Sequence, residues 1–160
     1  LGRWAVLAGN FMNAETASDL GLVTHLVDIN DVPNCIKDIH ASGKPDNKYP
    51  GKPMNENSPV VKFAKKFFSD GNMAALLAGS CPDGFDAEDK TVARQLKSLK
   101  FTAPIGLAMA SERIDATASM SLDEGLQLEL QGLDRIFSTE DALEGLSALI
   151  EGRRATYKNA

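Results

Sequence analysis

The feature that most constrains this chain is a succession of helix-start signals in residues 101–160. Ser121 and Glu124 have the spacing of a capping box, in which the hydroxyl and the carboxylate each accept a hydrogen bond from a free backbone N–H. A second polar cluster at 138–141 predicts another helix start, and Gly152 marks where that helix ends. Segments of this kind are typical of consecutive helices with short connections.

The same region carries an earlier signal, in which Thr102 stands just before Pro104. A hydroxyl side chain followed by proline in the first turn predicts a capped helix from about residue 103. The apolar residues of 122–137 then predict one long second helix. Residues 101–160 are therefore expected to form a C-terminal helical unit.

Residues 1–41 predict a helix–strand–helix piece. Asn13 is a suitable N-cap for a two-turn helix that ends before Gly21. The β-branched run 22–27 predicts a short strand, and Asp31 predicts the start of a helix that extends to about Ala41. The expected fold class is thus mainly α with one short β segment.

Residues 42–100 are expected to form a loop-rich helical insertion. Glycine, proline, aspartate and asparagine crowd the stretch 42–57, which predicts a loop. Ser58 and Pro59 begin a helix with a helical apolar stripe, and Asp86 is expected to cap another helix that extends to about Leu99.

Composition excludes several functional classes. The chain has 43% hydrophobic residues and a formal charge of −5, which argues against nucleic acid or an acidic membrane as the main partner. No apolar run approaches the roughly 18 residues of a membrane span. The cysteines, Cys35 and Cys81, lie far apart and are expected to be free thiols in a reducing, cytoplasmic compartment.

Candidate acid/base residues are few, and no motif supports them. Glu124 is explained by the capping box, and His25 and His40 have no nucleophile or metal partner at motif spacing. No glycine-rich phosphate loop is present. Other carboxylates are expected on an exposed helix face: Glu129, Glu140, Glu144 and Glu151. We therefore expect neither a catalytic residue nor a metal site in this chain.

A basic cluster remains at the end of the last helix, formed by Arg153, Arg154 and Lys158 with Tyr157 among them. One interpretation is that these cations complement the helix C-terminus. The other is an anion site, because arginine binds phosphate through forked, charge-assisted hydrogen bonds.

Two segments resemble motifs of the enoyl-CoA hydratase/isomerase (crotonase) family. Residues 5–23 resemble its "L-T-G-x-x-I-x-A-x-x-A-x-x-x-G-L-V" segment, and residues 137–154 resemble its "F-x-T-x-D-x-x-E-G-x-x-A-F-x-E-K-R" ending. Between them, residues 103–129 resemble the helical stretch that leads to "G-x-x-L-E". The matches occur in the family's order.

The resemblance implies the C-terminal portion of a crotonase-like α/β fold, in which a β-spiral is combined with helices. For residues 101–160 it implies helices that serve assembly and complete the CoA pocket. The family's oxyanion hole and most of its acid/base carboxylates would lie upstream of this chain. The implied activity of the intact protein is that of an enoyl-CoA hydratase or isomerase acting on a 2-enoyl-CoA thioester in fatty acid metabolism. Coenzyme A would enter as part of the substrate, with no other cofactor.

The family's ending also implies a contact with coenzyme A. Leu149 stands where the family often has phenylalanine, and Gly152 where it often has a lysine that contacts a CoA phosphate. Because glycine cannot make that contact, it would pass to Arg153 or Arg154. The residues expected to bind CoA are Leu149, Arg153 and Arg154.

Several alternatives stay open. The long stretch 42–100 is faintly similar to the insertion of 3-hydroxyisobutyryl-CoA hydrolase-like members, and a segment of a fusion with 3-hydroxyacyl-CoA dehydrogenase would have the same sequence pattern. A different hypothesis makes the chain a non-catalytic helical assembly module. Its apolar helices 103–137 predict a homo-oligomer, a trimer or hexamer by analogy, or a missing N-terminal half.

Overall fold

The computed structural model describes residues 1–9 and 11–160. The chain divides into two compact units, one formed by Leu1 with Phe11–Lys66 and the other by Gly2–Asn10 with Phe67–Ala160. The helices within the described residues are α1 (Gly2–Leu7), α2 (Ala14–Asp19), α3 (Val32–Ser42), α4 (Pro59–Phe67), α5 (Met73–Leu77), α6 (Lys90–Lys100), α7 (Pro104–Thr117), α8 (Leu122–Gln131), α9 (Leu133–Phe137) and α10 (Glu140–Glu151).

In the first unit, α2 begins and ends as its sequence predicts. The Asn13 side chain accepts a hydrogen bond of 2.8 Å from the Thr16 backbone N–H. Gly21 has a φ of 73°, a left-handed conformation that glycine adopts without a steric penalty. A side-chain cap before the first turn and a left-handed glycine after the last turn thus set the bounds of α2.

The predicted strand at 22–27 is wrong, because no strand forms there among the described residues. Its backbone groups bond elsewhere. The Leu22 N–H donates to the Ala17 carbonyl at 2.9 Å, and the Thr24 carbonyl accepts from the Lys52 N–H at 2.9 Å. A β-branched run becomes a strand only where a second strand offers a ladder of partners, and this unit supplies none within its described part.

The loop at 43–58 contains no helix, as its composition predicts, and several contacts fasten it to the rest of the first unit. The buried Tyr49 donates its hydroxyl to Asp31 at 2.5 Å. Burial and this bond raise the pKa of Tyr49, while the bond lowers the pKa of Asp31. The Asn55 N–H donates to the Asp19 carbonyl at 2.9 Å. The segment is therefore an anchored excursion from α3.

The core of the second unit is built around aromatic side chains. Phe67 is fully buried and packs edge to face on Phe85, with ring centroids 4.8 Å apart, and on Phe68 at 5.3 Å. Such pairs stabilise beyond their burial of apolar area. Helix α1 packs against α7, and Arg3 bonds to Asp70 and Asp115. The other buried apolar residues of this unit include Trp4, Leu7, Met73, Leu76, Val92, Leu99, Leu107 and Met109.

Two predicted helix starts in the second unit are displaced. Helix α6 is capped by Asp89, whose carboxylate accepts from Thr91 N at 2.8 Å and Val92 N at 3.1 Å. Asp86 instead accepts from Glu88 N at 2.9 Å within the preceding turn. Both aspartates have suitable neighbours, and the sequence does not rank them.

The start of α7 also differs, because its N-cap is Ala103 and has no side-chain bond. The Thr102 hydroxyl donates to the Ser98 carbonyl at 3.2 Å, which completes the end of α6. The residue was expected to serve the following helix and serves the preceding one. Helix α7 therefore begins with Pro104 alone as its start signal.

The two later helix starts are confirmed. Ser121 and Glu124 form the reciprocal capping box, and the Thr139 hydroxyl accepts from Ala142 N at 3.0 Å. Gly152 ends α10 with a φ of 67°. The single helix predicted for 122–137 is wrong, because it divides into α8 and α9 at Gly132.

The guanidinium of Arg113 on α7 lies directly against Gly132 and occupies the space that a Cβ at position 132 would need. This close approach accompanies the break between α8 and α9.

Helices α8–α10 leave many of their apolar side chains exposed. Leu130 on α8 is 59% exposed and Phe137 on α9 is 66% exposed. The exposed apolar residues of α8–α10 are Leu122, Leu126, Leu130, Leu133, Phe137, Leu143, Leu146, Leu149 and Ile150.

Candidate functional site

A groove of about 470 Å³ lies in the second unit, between the last turn of α6, the later turns of α10 and the tail that follows α10. It combines apolar, aromatic and cationic side chains. The lining residues are Lys97, Phe101, Gly145, Ala148, Leu149, Arg153, Arg154, Ala155 and Tyr157. All three residues expected to bind CoA therefore line one groove.

The tail reaches this position because a buried carboxylate holds its end. Asp141, in the first turn of α10, is only 2% exposed. Its carboxylate accepts from the Lys158 N–H at 2.7 Å and the Asn159 N–H at 2.9 Å. The Asp141 N–H donates to the Ala160 carbonyl at 3.1 Å. A buried carboxylate is tolerated only with such partners, so the first turn of α10 fixes the course of the tail.

A second carboxylate fastens the start of the tail. Glu144 forms a two-pronged pair with Arg153, with distances of 2.5 Å from Nη1 to Oε1 and 2.8 Å from Nη2 to Oε2. Arg153 Nε also donates to Glu151 at 2.5 Å, and the Thr156 N–H donates to Glu144 at 2.8 Å. Paired, forked contacts of this kind are stronger than single ones.

These bonds change the acidity of both partners. The Arg153 guanidinium, followed by the Thr156 N–H, lowers the pKa of Glu144 to about 2. Glu144, followed by Glu151, raises the pKa of Arg153. Because the pKa of Glu144 is depressed on folding, the pair is intact above its ordinary value of 4.5 and is lost as the pH falls toward 2. At neutral pH the pair is fully charged.

The other arginine is oriented differently. The Arg154 guanidinium lies over the ring of Phe101, 4.8 Å from its centroid. Cations favour this position because the face of an aromatic ring is electronegative. Lys97 precedes Phe101 by four residues and so shares its helix face. The end of α6 thus contributes a cation and an aromatic ring to the groove.

The apolar part of the groove comes from α10 and the tail. Leu149 is 78% exposed, and Tyr157 packs its hydroxyl against Gly145. A Cβ added at Gly145 would lie 3.2 Å from the Tyr157 hydroxyl oxygen, so a larger residue there would displace the tyrosine. The glycine within the "D-x-x-E-G" part of the motif therefore has a packing reason.

Sequence reasoning missed several members of this site. Lys97 and Phe101 have helical spacing but no signal that connects them with a tail some 50 residues later. Glu144 was expected on an exposed face, and that interpretation is wrong because its side chain is only 25% exposed and bonds to Arg153. Lys158 was included in the basic cluster, but it contacts Asp141 through its backbone N–H.

The remaining candidates have structural partners. The Glu124 carboxylate bonds to the Ser121 hydroxyl and N–H, and these bonds lower the pKa of Glu124. His25 Nδ1 lies 2.8 Å from the Thr24 hydroxyl, in the first unit. Within residues 1–9 and 11–160, no group of three or more histidine, cysteine, aspartate or glutamate side chains could hold a metal ion. In that same part, no helix is long and apolar enough to cross a membrane.

Comparison with known proteins identifies the class. The family model described as enoyl-CoA hydratase/isomerase matches residues 1–158, and the chain belongs to that family. It is 31% identical over 90 residues to the mitochondrial enoyl-CoA hydratase of Pongo abelii, a match that covers 56% of this chain and 30% of the relative.

Two further relatives are similar over shorter stretches. The chain is 33% identical to a probable enoyl-CoA hydratase of Rhizobium meliloti over 63 residues, which are 39% of this chain and 24% of the relative. It is 27% identical to a probable mitochondrial enoyl-CoA hydratase 2 of Arabidopsis thaliana over 81 residues, 51% of this chain and 27% of the relative. The chain thus matches less than a third of the length of these relatives. No solved structure is significantly similar to it.

Proposed function

We propose that this chain is the C-terminal part of an acyl-CoA enzyme, in which the groove at the end of α10 binds coenzyme A. The reaction is hydration or isomerisation of a 2-enoyl-CoA thioester, and the compartment is the cytoplasm. The proposal places the oxyanion-hole donors and acid/base carboxylates in residues upstream of this chain. The similarity to enoyl-CoA hydratases favours hydration over thioester hydrolysis.

The observation that supports this proposal is that Leu149, Arg153 and Arg154 line one groove, at the end of the segment 137–154 that resembles the family's ending. A groove with cationic, aromatic and apolar walls fits a ligand that has phosphates, an aromatic base and an aliphatic arm. Contacts far from the reacting atoms contribute binding energy that orients the thioester. This groove would therefore anchor the non-reacting part of the substrate.

The test is titration of the chain with CoA by isothermal calorimetry. The double variant Arg153→Ala with Arg154→Ala should weaken binding at least about tenfold, because it removes the fastening of the tail and a free cation together. A matched control removes two exposed cations outside the groove, Lys44→Ala with Arg135→Ala, and should change affinity less than about twofold. An equal loss of CoA affinity in both variants would contradict phosphate binding by the basic cluster and favour its interpretation as cations that complement the helix C-terminus.

A second proposed role is self-association through the exposed apolar residues of α8–α10. Large exposed apolar patches in soluble proteins mark interaction surfaces, and these three helices carry nine exposed apolar side chains. Light scattering on the chain should give a mass well above 17.1 kDa. The variant Leu126→Glu with Leu130→Glu should lower that mass, and a monodisperse 17.1 kDa species of the unsubstituted chain would contradict the proposal.

A further inference from the structure

The two arginines of the groove differ in whether their charge is already compensated. All three nitrogens of the Arg153 guanidinium donate to carboxylates. Nη1 and Nη2 donate to Glu144, and Nε donates to Glu151. An incoming phosphate would have to displace a two-pronged carboxylate that is already in place. Direct binding by Arg153 therefore competes with an internal ion pair, and the competition disfavours the ligand.

Arg154 and Lys97 have no such competitor. Across residues 1–9 and 11–160, neither side chain forms an ion pair with a carboxylate. Arg154 is held over Phe101 by a ring contact, which leaves its N–H edges available to an acceptor. Phe101 itself is 48% exposed, so part of its ring stays open to a ligand.

We propose that Arg154 and Lys97 bind the phosphates of the adenosine end of CoA, that Phe101 contacts its base, and that Arg153 is a positioning residue. This assignment rests on the proposed function and divides the groove into contacting and supporting residues. Lys97 and Phe101 come from α6, whereas Arg154 comes from the tail. The ligand would therefore join α6 to the tail.

The positioning role of Arg153 follows from the position of Glu144. This carboxylate binds the Arg153 guanidinium and the Thr156 N–H together. Thr156 lies between Ala155 and Tyr157, which both line the groove. Loss of the Glu144–Arg153 pair would release that wall and leave Arg154 without a fixed place over Phe101.

The variant Glu144→Gln separates the two roles because they predict opposite results. If Arg153 contacted phosphate, the loss of its carboxylate partner would free a cation and strengthen binding. If Arg153 fastens the tail, the same loss loosens the groove and weakens binding. The probes are CoA and adenosine 3′,5′-bisphosphate, titrated by calorimetry. The control Glu140→Gln makes the same charge change at an exposed site outside the groove.

We expect Glu144→Gln to weaken both probes about threefold, and Arg154→Gln and Lys97→Gln to weaken each about fivefold. The control Arg135→Gln should change affinity less than about 1.5-fold. Amide hydrogen exchange gives the second readout. Exchange at the Thr156 N–H, which donates to Glu144, should rise in Glu144→Gln and Arg153→Gln and stay unchanged in Arg154→Gln and Lys97→Gln.

Tighter binding in Glu144→Gln, or unchanged binding in both Arg154→Gln and Lys97→Gln while CoA still binds the unsubstituted chain, would overturn this assignment alone. If the unsubstituted chain binds neither probe, the proposed CoA groove fails as well. The two failures are thus distinguishable.

Discussion

The core around Phe67 and the exposed apolar residues of α8–α10 belong to the same unit, yet apolar side chains are buried in the first and exposed in the second. Phe67 is fully buried between aromatic rings, whereas Phe137 is 66% exposed. Both lie in helices with an apolar periodicity. The comparison teaches that periodicity identifies residues that share a face, while burial depends on whether another element covers that face.

The largest change in stability is expected from a test that substitutes one phenylalanine in each region. Phe67→Ala should lower the free energy of unfolding by about 3–5 kcal/mol, because it leaves a cavity among Phe68 and Phe85. Urea unfolding followed by the fluorescence of Trp4, the only tryptophan and a buried member of the same unit, would measure the change.

The matched control is Phe137→Ala, which should cost about 0.5 kcal/mol or less in the monomer. A similar loss in both variants would show that α9 is covered and would remove the contrast.

A second test concerns the contacts that stabilise α10, the helix with several exposed apolar side chains. Asp141→Ala should destabilise the second unit by about 2 kcal/mol, because the backbone N–H groups of Lys158 and Asn159 lose their buried acceptor. Asp141→Asn should lose less, since one amide oxygen can still accept. Asp83→Ala, at an exposed position of the same unit, serves as the control and should change stability by less than about 0.5 kcal/mol. Unchanged stability in Asp141→Ala would mean that the tail contributes nothing to α10.

The smallest expected effect lies on α8. Leu130→Gln should change the free energy of unfolding by less than about 0.5 kcal/mol, because Leu130 is 59% exposed and its replacement leaves no cavity. The measurement is urea unfolding at protein concentrations low enough to exclude self-association. A loss above about 2 kcal/mol would show that α8 is packed against another element.

Local signals made much of the helical fold predictable. The capping box at Ser121, the Thr139 cap and the end of α10 at Gly152 depend on residues within one turn, and the sequence contains all of them. The start of α6 was misplaced because Asp86 and Asp89 both suit a cap, and only the folded chain selects Asp89. The ambiguity arises where two local solutions have similar energies.

Features that depend on contacts between distant parts of the chain could not be predicted from the sequence. The run 22–27 has strand-forming residues, but strand formation depends on a neighbouring strand that a single segment cannot specify. In the groove, Arg153 and Arg154 were identified from the motif, while Lys97 and Phe101 were not, because their link to the tail exists only after α6 and α10 pack in one unit. The pairing of Glu144 with Arg153 was missed for the same reason.

The close approach of Arg113 to Gly132 has a consequence for sequence variation. A Cβ at position 132 would meet the guanidinium, so a substitution there displaces the flexible end of the Arg113 side chain. Conversely, a chain that loses the arginine can accept alanine at 132 and join α8 to α9 as one longer helix, since alanine favours helix more than glycine does. The side chain at position 113 therefore decides how much a residue at position 132 must displace.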